Sequence, residues 1–454
     1  MTATETAIQG AALRGYRPYP AYKASGVEWL GEIPKHWDVK RLKNAVKKLE
    51  TGGTPESNNS DFWTDGDDLE GTAWVAISDM TRSFHVRETV KRLTADGLLS
   101  KRLPVLPSGT LLYSMYASLG KVALLEIDAV VNQAILGIVP DTSTVSRAYL
   151  RWWLEFMQGH IQILSSSSTQ ENLNAEKVRN IPVFLPDEAT QQAIANFLDS
   201  ETARIDALVA KKQRLIELLH EQRTTLITRA VTKGLDGSVP MKESGVEWLG
   251  EIPAHWEVKK IKRLCLVRRG ASPRPIEDPV YFDDEGEYAW VRIADVTASE
   301  RYLEETTQRL SELGKAKSVP LDPGELFVSI AGTVGKPIIT RIKCCIHDGF
   351  VYFAYLRESR EYLYYLFSCG EPYKGLGKLG TQLNLNTDTI GDIYLPRPSM
   401  VEQERIVSYL DAEAAKINVL IGKVLDAITK LGELRAALIS AAVTGKIDVR
   451  EEVV

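Results

Sequence analysis

The chain has 454 residues, 44% of them hydrophobic and 25% charged, which is too long for one ordinary core and too apolar for wholesale disorder. Its formal net charge of −5 argues against a protein that coats nucleic acid non-specifically, since a basic domain is the usual footprint of that behaviour. No window approaches the roughly 18 uninterrupted apolar residues of a spanning helix, and Cys265, Cys344, Cys345 and Cys369 fit neither a metal knuckle nor a disulfide framework, so a reducing cytoplasm and no membrane contact are expected.

Residues 1–20 lack the basic-then-apolar pattern of a secretory signal and are read as an N-terminal extension. A basic stretch follows, with Lys35, Lys40, Arg41, Lys43, Lys47 and Lys48 against Asp38 alone, and the bias returns between Lys259 and Arg274. Basic patches thus persist within an acidic average. The sequence GVEWLGEIPKHWDVKRLK from Gly26 recurs from Gly245 with 14 of 18 positions identical. Further echoes keep the same order: WVAISDM from Trp74 with WVRIADV from Trp290, then SMYASLGK from Ser114 with SIAGTVGK from Ser329. TQENLN from Thr169 pairs with TQLNLN from Thr381, and RAVTKG from Arg229 answers AAVTGK from Ala441. Such self-similarity over more than 200 residues marks a duplicated domain rather than a stacked short repeat.

Within each copy the centre reads as short β segments bounded by Pro and Gly turns: WVAIS, TLLYSMY, KVALLEI and AVVNQAILGIVP, then YAWVRIA, ELFVSI, KPIITRI and FVYFAYL. Shorter helical patterns such as SRAYLRWWLEFMQ follow, giving an α+β domain per copy. Asp187 to Val231 and Glu402 to Val443 instead carry apolar residues at three-to-four spacing, and each reads as one long helix with Gly422 and Gly432 weakening the second. About 40 residues at 1.5 Å each make roughly 60 Å, longer than a domain is wide, so each helix needs a partner. Its own duplicate is the cheapest, about a pseudo-two-fold axis that makes the pair antiparallel. The expected organisation is an extension (1–20), a first α+β domain (21–185), a central helix (186–233), a second α+β domain (234–397) and a C-terminal helix (398–454), with the two helices pairing as an antiparallel coiled coil and acting as a ruler between the domains.

Catalytic signatures fail. Gly332-Thr333-Val334-Gly335-Lys336 lacks the spacing of a phosphate-binding loop, Asp278-Pro279-Val280-Tyr281 departs from the methyltransferase Asp-Pro-Pro-Tyr at its third position, and His220-Glu221 lacks a second histidine. The repeated Pro-x-His-Trp, with His36 and His255, has no nucleophile at fixed spacing and is read as packing. No catalytic and no metal-binding residue is expected. What recurs is a set of small polar elements: Thr51-Gly52-Gly53-Thr54-Pro55 and Arg269-Gly270-Ala271-Ser272-Pro273, Ser78-Asp79 and Asp295, Ser118 to Lys121 and Thr333 to Lys336, Asn132-Gln133 and His347-Asp348. Thr169, Gln170 and Asn172, answered by Thr381, Gln382 and Asn384, complete it. Amide and hydroxyl groups on such loops suit base edges and lysines suit phosphates, although singly each element also serves as a turn.

These motifs, each present twice, closely resemble specificity subunits of type I restriction-modification systems over nearly the whole chain after about residue 20. The resemblance implies a non-catalytic subunit with two target recognition domains, each reading one half of a split site in double-stranded DNA. Thr54, Ser78, Asp79, Ser118, Lys121, Asn132, Gln133, Thr169, Gln170 and Asn172 would then form the DNA-binding set of the first copy. Ser272, Asp295, Thr333, Lys336, His347, Thr381, Gln382 and Asn384 would form that of the second. It also implies docking of two methyltransferase subunits, with Trp29 and Trp248 as contacts, and of restriction or translocase subunits. S-adenosylmethionine, Mg²⁺ and ATP would sit on those partners and no cofactor on this chain. The rival readings are a coiled-coil scaffold that binds only proteins, and a nuclease or methyltransferase with an unrecognised site.

Overall fold

The computed structural model describes residues 15–450 except 66, 69, 117, 161–172, 375, 377, 380–381 and 384. The chain divides into two compact units, Met1–Lys212 with Asp426–Val454, and Gln213–Leu425. The units do not follow the repeat boundary near residue 233, because each takes one portion of both long helices.

The long helices span Glu188–Lys233 and Met400–Val443. Asp187 begins the first by accepting the Thr190 N–H at 2.9 Å, and Ser399 with Glu402 forms a reciprocal capping pair at the second, satisfying backbone donors that a helix start leaves free. Gly234 and Gly445, with φ of +72° and +70°, follow the helix ends in the left-handed conformation that glycine tolerates best. Gly422 and Gly432 lie inside the second helix without interrupting it.

In the first unit Ile194, Leu198 and Ile205 of the first helix share a core with Leu438, Ala442 and Val443 of the second. There Arg435 bonds Glu155 at 2.8 Å and approaches Asp206 to 3.3 Å. In the second unit the ends are exchanged: Ile227 and Val231 of the first helix share a core with Ile406 and Leu410 of the second. The start of each helix thus lies against the end of the other, which is antiparallel pairing in both units. Leu208, Leu215, Leu218 and Leu420 are exposed, while Leu219 and Ile417 in the same mid-helix stretches are buried.

Each unit carries a five-stranded sheet and a four-stranded sheet. In the first unit the five-stranded sheet runs Val46–Thr51, Ile135–Pro140, Leu111–Ser114, Val122–Leu125, His85–Val86. In the second it runs Leu266–Arg269, Phe350–Ala354, Leu326–Ser329, Pro337–Thr340, Tyr302–Leu303. Each four-stranded sheet contains one parallel pair, Thr72–Val75 with the edge strand Ala129–Val131 in the first unit and Tyr288–Val291 with Cys344–Ile346 at the centre in the second. One sequence expectation is corrected: AVVNQAILGIVP is two strands, Ala129–Val131 and Ile135–Pro140, assigned to different sheets. Asn132 breaks the run, because its Oδ1 accepts the Ala134 N–H at 3.0 Å and turns the backbone.

Matched buried polar contacts tie the helices to the rest of each unit. The Tyr149 hydroxyl donates to Phe184 O at 2.9 Å, and that of Tyr362 to Val231 O at 3.0 Å. Gln191 Oε1 accepts the Ser146 N–H at 2.7 Å, and Gln403 Oε1 that of Ser359 at 3.0 Å. Trp37 and Trp256 of the repeated His-Trp pair are fully buried, and His255 bonds Glu402 at 2.7 Å, which fits the packing reading.

A candidate nucleic-acid interface at matched sheet ends

The two parallel strands of each four-stranded sheet carry loops at the same end, so strand direction alone gathers residues distant in sequence. In the first unit Thr72–Val75 leads to Ala76-Ile77-Ser78 and Ala129–Val131 to Asn132-Gln133, with the Asn132 N–H on Val75 O at 3.1 Å. The Thr51 to Pro55 turn joins them through Gly53 N–H on Val131 O at 2.9 Å, and the Trp74 indole N–H steadies it on Gly53 O at 2.9 Å. The Thr54 hydroxyl then donates to Gln133 Oε1. The Ser114 to Lys121 turn is brought alongside by Met115 N–H on Ala134 O at 2.8 Å, with Ser118 and Gly120 at φ of +49° and +74°. Thr54, Ser78, Ser118, Asn132 and Gln133 therefore converge on one sheet end, joined by Lys121 at the close of its turn.

The second unit repeats this frame with other side chains. Ala271 N–H donates to Ile346 O at 3.1 Å, and Ser272 Oγ donates to Asp348 Oδ1 at 2.8 Å. Thr333 meets Thr297 at 2.8 Å, from a turn with Gly332 and Gly335 at φ of +65° and +86°. His347 is partly buried against Phe350, with ring centroids 4.5 Å apart, and its Nδ1 accepts the Gly349 N–H at 2.8 Å. Burial pushes its imidazole below the ordinary histidine value, favouring the neutral ring.

Three predicted site residues serve the frame more than the surface. Asp79 and Asp295 turn inward, accepting Ala76 N–H at 2.9 Å and Arg292 N–H at 2.8 Å to cap the helices Ile77–Arg82 and Ile293–Ala298. Lys336 donates to Thr297 O and Ser299 O at 3.1 and 2.6 Å, and burial lowers its ammonium. Thr169, Gln170, Asn172, Thr381 and Asn384 lie outside the described residues, and Gln382 lies on the strand Gln382–Leu383.

Sequence reasoning named Asp348 and Arg269 only as parts of their loops and left them, with Arg274, out of the DNA-binding set. Asp348 occupies the position of Gln133, takes Arg274 at 3.1 Å through its carboxylate, and receives the Arg269 Nε–H on its backbone oxygen. The Ser272 hydroxyl, followed by the two arginines, holds its carboxyl below the usual carboxylate range. The signal was present, because aligning Asn132-Gln133 with His347-Asp348 sets Gln133 opposite Asp348.

Trp29 is half-buried, stacked on His160 at 4.9 Å, and lines a cavity of about 690 Å³ with Leu30, Phe156 and Arg435. Trp248 packs at the margin of the second core. Among the described residues no group of His, Cys, Asp or Glu is arranged to hold a metal ion, and no helix is long and apolar enough to cross a membrane.

A family model described as the type I restriction modification DNA specificity domain matches residues 34–218 and again 253–430. The chain is 26% identical over 261 residues to the type I restriction enzyme MjaIX specificity subunit of Methanocaldococcus jannaschii, covering 56% of this chain and 57% of that one. It is 22% identical to the MjaVIII specificity subunit of the same organism over 92% of this chain and 94% of that one. Among solved structures, a chain from a study of complex assembly and conformational transition of the type I R-M system is similar with a TM-score of 0.69 and 17% identity, over 91% and 99% of the two chains. The HsdS subunit from Thermoanaerobacter tengcongensis is similar with a TM-score of 0.51 at 17% identity, over 91% and 98%.

Proposed function

The chain belongs to the type I restriction-modification DNA specificity family, its model matching twice over more than half the sequence, and from that premise we propose that each unit reads a different half of a bipartite DNA site. It is a non-catalytic specificity subunit with two target recognition domains that read DNA, and other restriction-modification subunits are its partners. The observation that carries the two-half-site reading is the pair of matched sheet ends. Both copies build the same backbone frame, yet place Thr54 and Gln133 in one where the other has Ser272 and Asp348. A shared scaffold with unlike exposed groups is what reading two sequences requires.

Two methyltransferase subunits would dock per chain, because a duplicated chain offers an equivalent surface twice. Trp29 and Trp248 are partly exposed on equivalent loops and are the proposed contacts, although both also pack against their own units. S-adenosylmethionine, Mg²⁺ and ATP belong on the partners in this reading, and restriction or translocase subunits are further candidates for docking. The acidic net charge of −5 fits a subunit whose partners supply part of the phosphate contacts.

The test is reconstitution with methyltransferase subunits, followed by mapping of methylated sites on random duplex DNA. Two short motifs separated by a fixed unread spacer are expected. One contiguous motif, or none, would overturn the reading, and one methyltransferase per chain by native mass would overturn the stoichiometry. A protein-only scaffold would leave the methylation pattern independent of this chain.

A further inference from the structure

Three matched positions differ between the copies in a chemically specific way. Where the first copy has Thr51, Glu56 and Gln133, the second has Arg269, Arg274 and Asp348. A hydroxyl, a carboxylate and a neutral amide are thus replaced by two guanidinium groups and one carboxylate. The backbone beneath is the same, since Gly53 and Ala271 donate to the equivalent carbonyls of Val131 and Ile346 at 2.9 and 3.1 Å. The differences therefore sit in side chains on a common frame.

In the second copy the charges are organised. Ser272 Oγ donates to Asp348 Oδ1 at 2.8 Å, leaving Oδ2 to accept from Arg274 at 3.1 Å. One carboxylate oxygen is fixed to the turn and the other to the arginine. The Arg274 side chain is 69% exposed, so its guanidinium projects from the sheet end while one nitrogen is tethered. A planar guanidinium offers five N–H donors, and one bond to Asp348 leaves enough for the O6 and N7 acceptors of a guanine, the arginine contact most often seen with bases. Restricting a long side chain before binding lowers the entropy lost on contact. The first copy has Glu56 at this position, which would repel those acceptors.

Resting on the two-half-site reading above, we propose that Arg274 reads a guanine in the second half-site and that Asp348, latched by Ser272, is the residue that positions it. Arg274 makes the contact, and Asp348 and Ser272 act through its orientation.

The test uses the reconstituted complex of the full chain with its methyltransferase subunits, with initial methylation rates measured on duplexes varied one base at a time. With wild-type chain one guanine of the second half-site is essential. Arg274→Ala should lower discrimination at that base roughly 5- to 150-fold, the span of a bidentate base contact. Every position of the first half-site should stay unchanged. Asp348→Asn should relax the same base by a smaller factor, and Ser272→Ala by less again. A phosphate contact behaves otherwise: Arg274→Ala would then weaken binding equally for all sequences and lower the salt slope by about one. That result overturns the proposal, as does an unaltered motif in all three variants. If the wild-type complex itself shows no bipartite motif, it is the two-half-site reading that fails. The retained first half-site reports that each variant is folded and assembled.

Discussion

Two adjacent glycines in the first recognition turn should respond very unequally to the same added methyl group. A Cβ built on Gly52 falls 1.5 Å from Val131 O and 2.3 Å from its carbonyl carbon. Restoring an ordinary C···O separation of about 3.3 Å demands about 2 Å of backbone movement. The same carbonyl accepts the Gly53 N–H at 2.9 Å, so the movement that relieves the clash breaks the bond that holds Thr54 beside Gln133. Stranding that donor and acceptor, with the strain of the shifted strand, should cost about 3–5 kcal/mol in Gly52→Ala. A Cβ on Gly53 meets only Leu103 Cδ2, at 2.8 Å, the far end of a flexible side chain. Turning Leu103 off its rotamer costs about 0.5–1.5 kcal/mol. Restricting the unfolded chain returns about 0.4–1 kcal/mol, so Gly53→Ala should be neutral within about 1 kcal/mol.

The assay is denaturant unfolding of both variants together with methylation mapping in the complex. Gly52→Ala should lower the unfolding midpoint and blur the first half-site while sparing the second. Gly270→Ala should do the reverse, because its Cβ would lie 2.2 Å from His347 O and 2.6 Å from Ile346 O. A Gly52→Ala chain with wild-type midpoint and an intact first half-site would refute the claim that this close approach builds the reading surface.

Gln191→Leu should cost about 2–3 kcal/mol in denaturant unfolding, since it strands the Ser146 N–H and the carbonyls of Thr144 and Pro186, and Gln403→Leu should cost about 1 kcal/mol more because in place of the Thr144 carbonyl it deprives Oε2 of the buried Glu358 carboxylate of a bond at 2.6 Å. Equal losses would mean that the bond to the Glu358 carboxylate is worth no more than one to a carbonyl. Tyr149→Phe and Tyr362→Phe should each lower stability by about 1–2 kcal/mol, and the double variant should show the two losses added, because the residues share no partner. A double variant no worse than either single would contradict this. His347 has its folded value lowered by burial, below the 6.5 of the free side chain, so the unfolded chain binds the extra proton first and stability falls as pH drops below about 6.5. The unfolding midpoint between pH 7.5 and 5.5 should therefore decline less in His347→Gln than in wild type, and parallel profiles would exclude this histidine as a source of the acid sensitivity.

The duplication, the long helices and the α+β class were legible because each rests on a pattern within the chain: residue identity at a fixed offset, apolar spacing over more than 40 positions, and short alternating runs. The break at Asn132 was less visible, since apolar residues continue on both sides and only a side-chain bond to Ala134 turns the backbone. In the site, polar residue types marked the loops without stating where each side chain points. Asp79 and Asp295 carry the same chemistry as a base-reading carboxylate, yet capping claims them because each stands three residues after the N-cap. Lys336 resembles a phosphate-binding lysine on a glycine turn, while the carbonyls of Thr297 and Ser299 are near enough to engage it. Asp348 was passed over for His347, because a histidine stands out in sequence and a carboxylate beside two distant arginines does not.

The division between what the copies share and where they differ follows from the cost of stranding buried polar groups. Tyr149 and Tyr362, Gln191 and Gln403, Asp79 and Asp295, and Ser114 and Ser329 are identical pairs, and each engages backbone in the interior or at a capped helix end. Changing one member leaves its partners unsatisfied where water cannot compensate, a loss of about 1–3 kcal/mol per group. Gln133 and Arg274 are exposed, so substitution there exchanges protein contacts for water at little cost to folding. Even within one turn the rule holds: Gly52 and Gly270 are matched because the carbonyl of the facing strand forbids a side chain, whereas Gly53 is answered by Ala271. One frame can therefore present an amide in one copy and an arginine-carboxylate pair in the other, and altered recognition is most readily sought at positions 56, 133, 274 and 348 rather than in the frame beneath them.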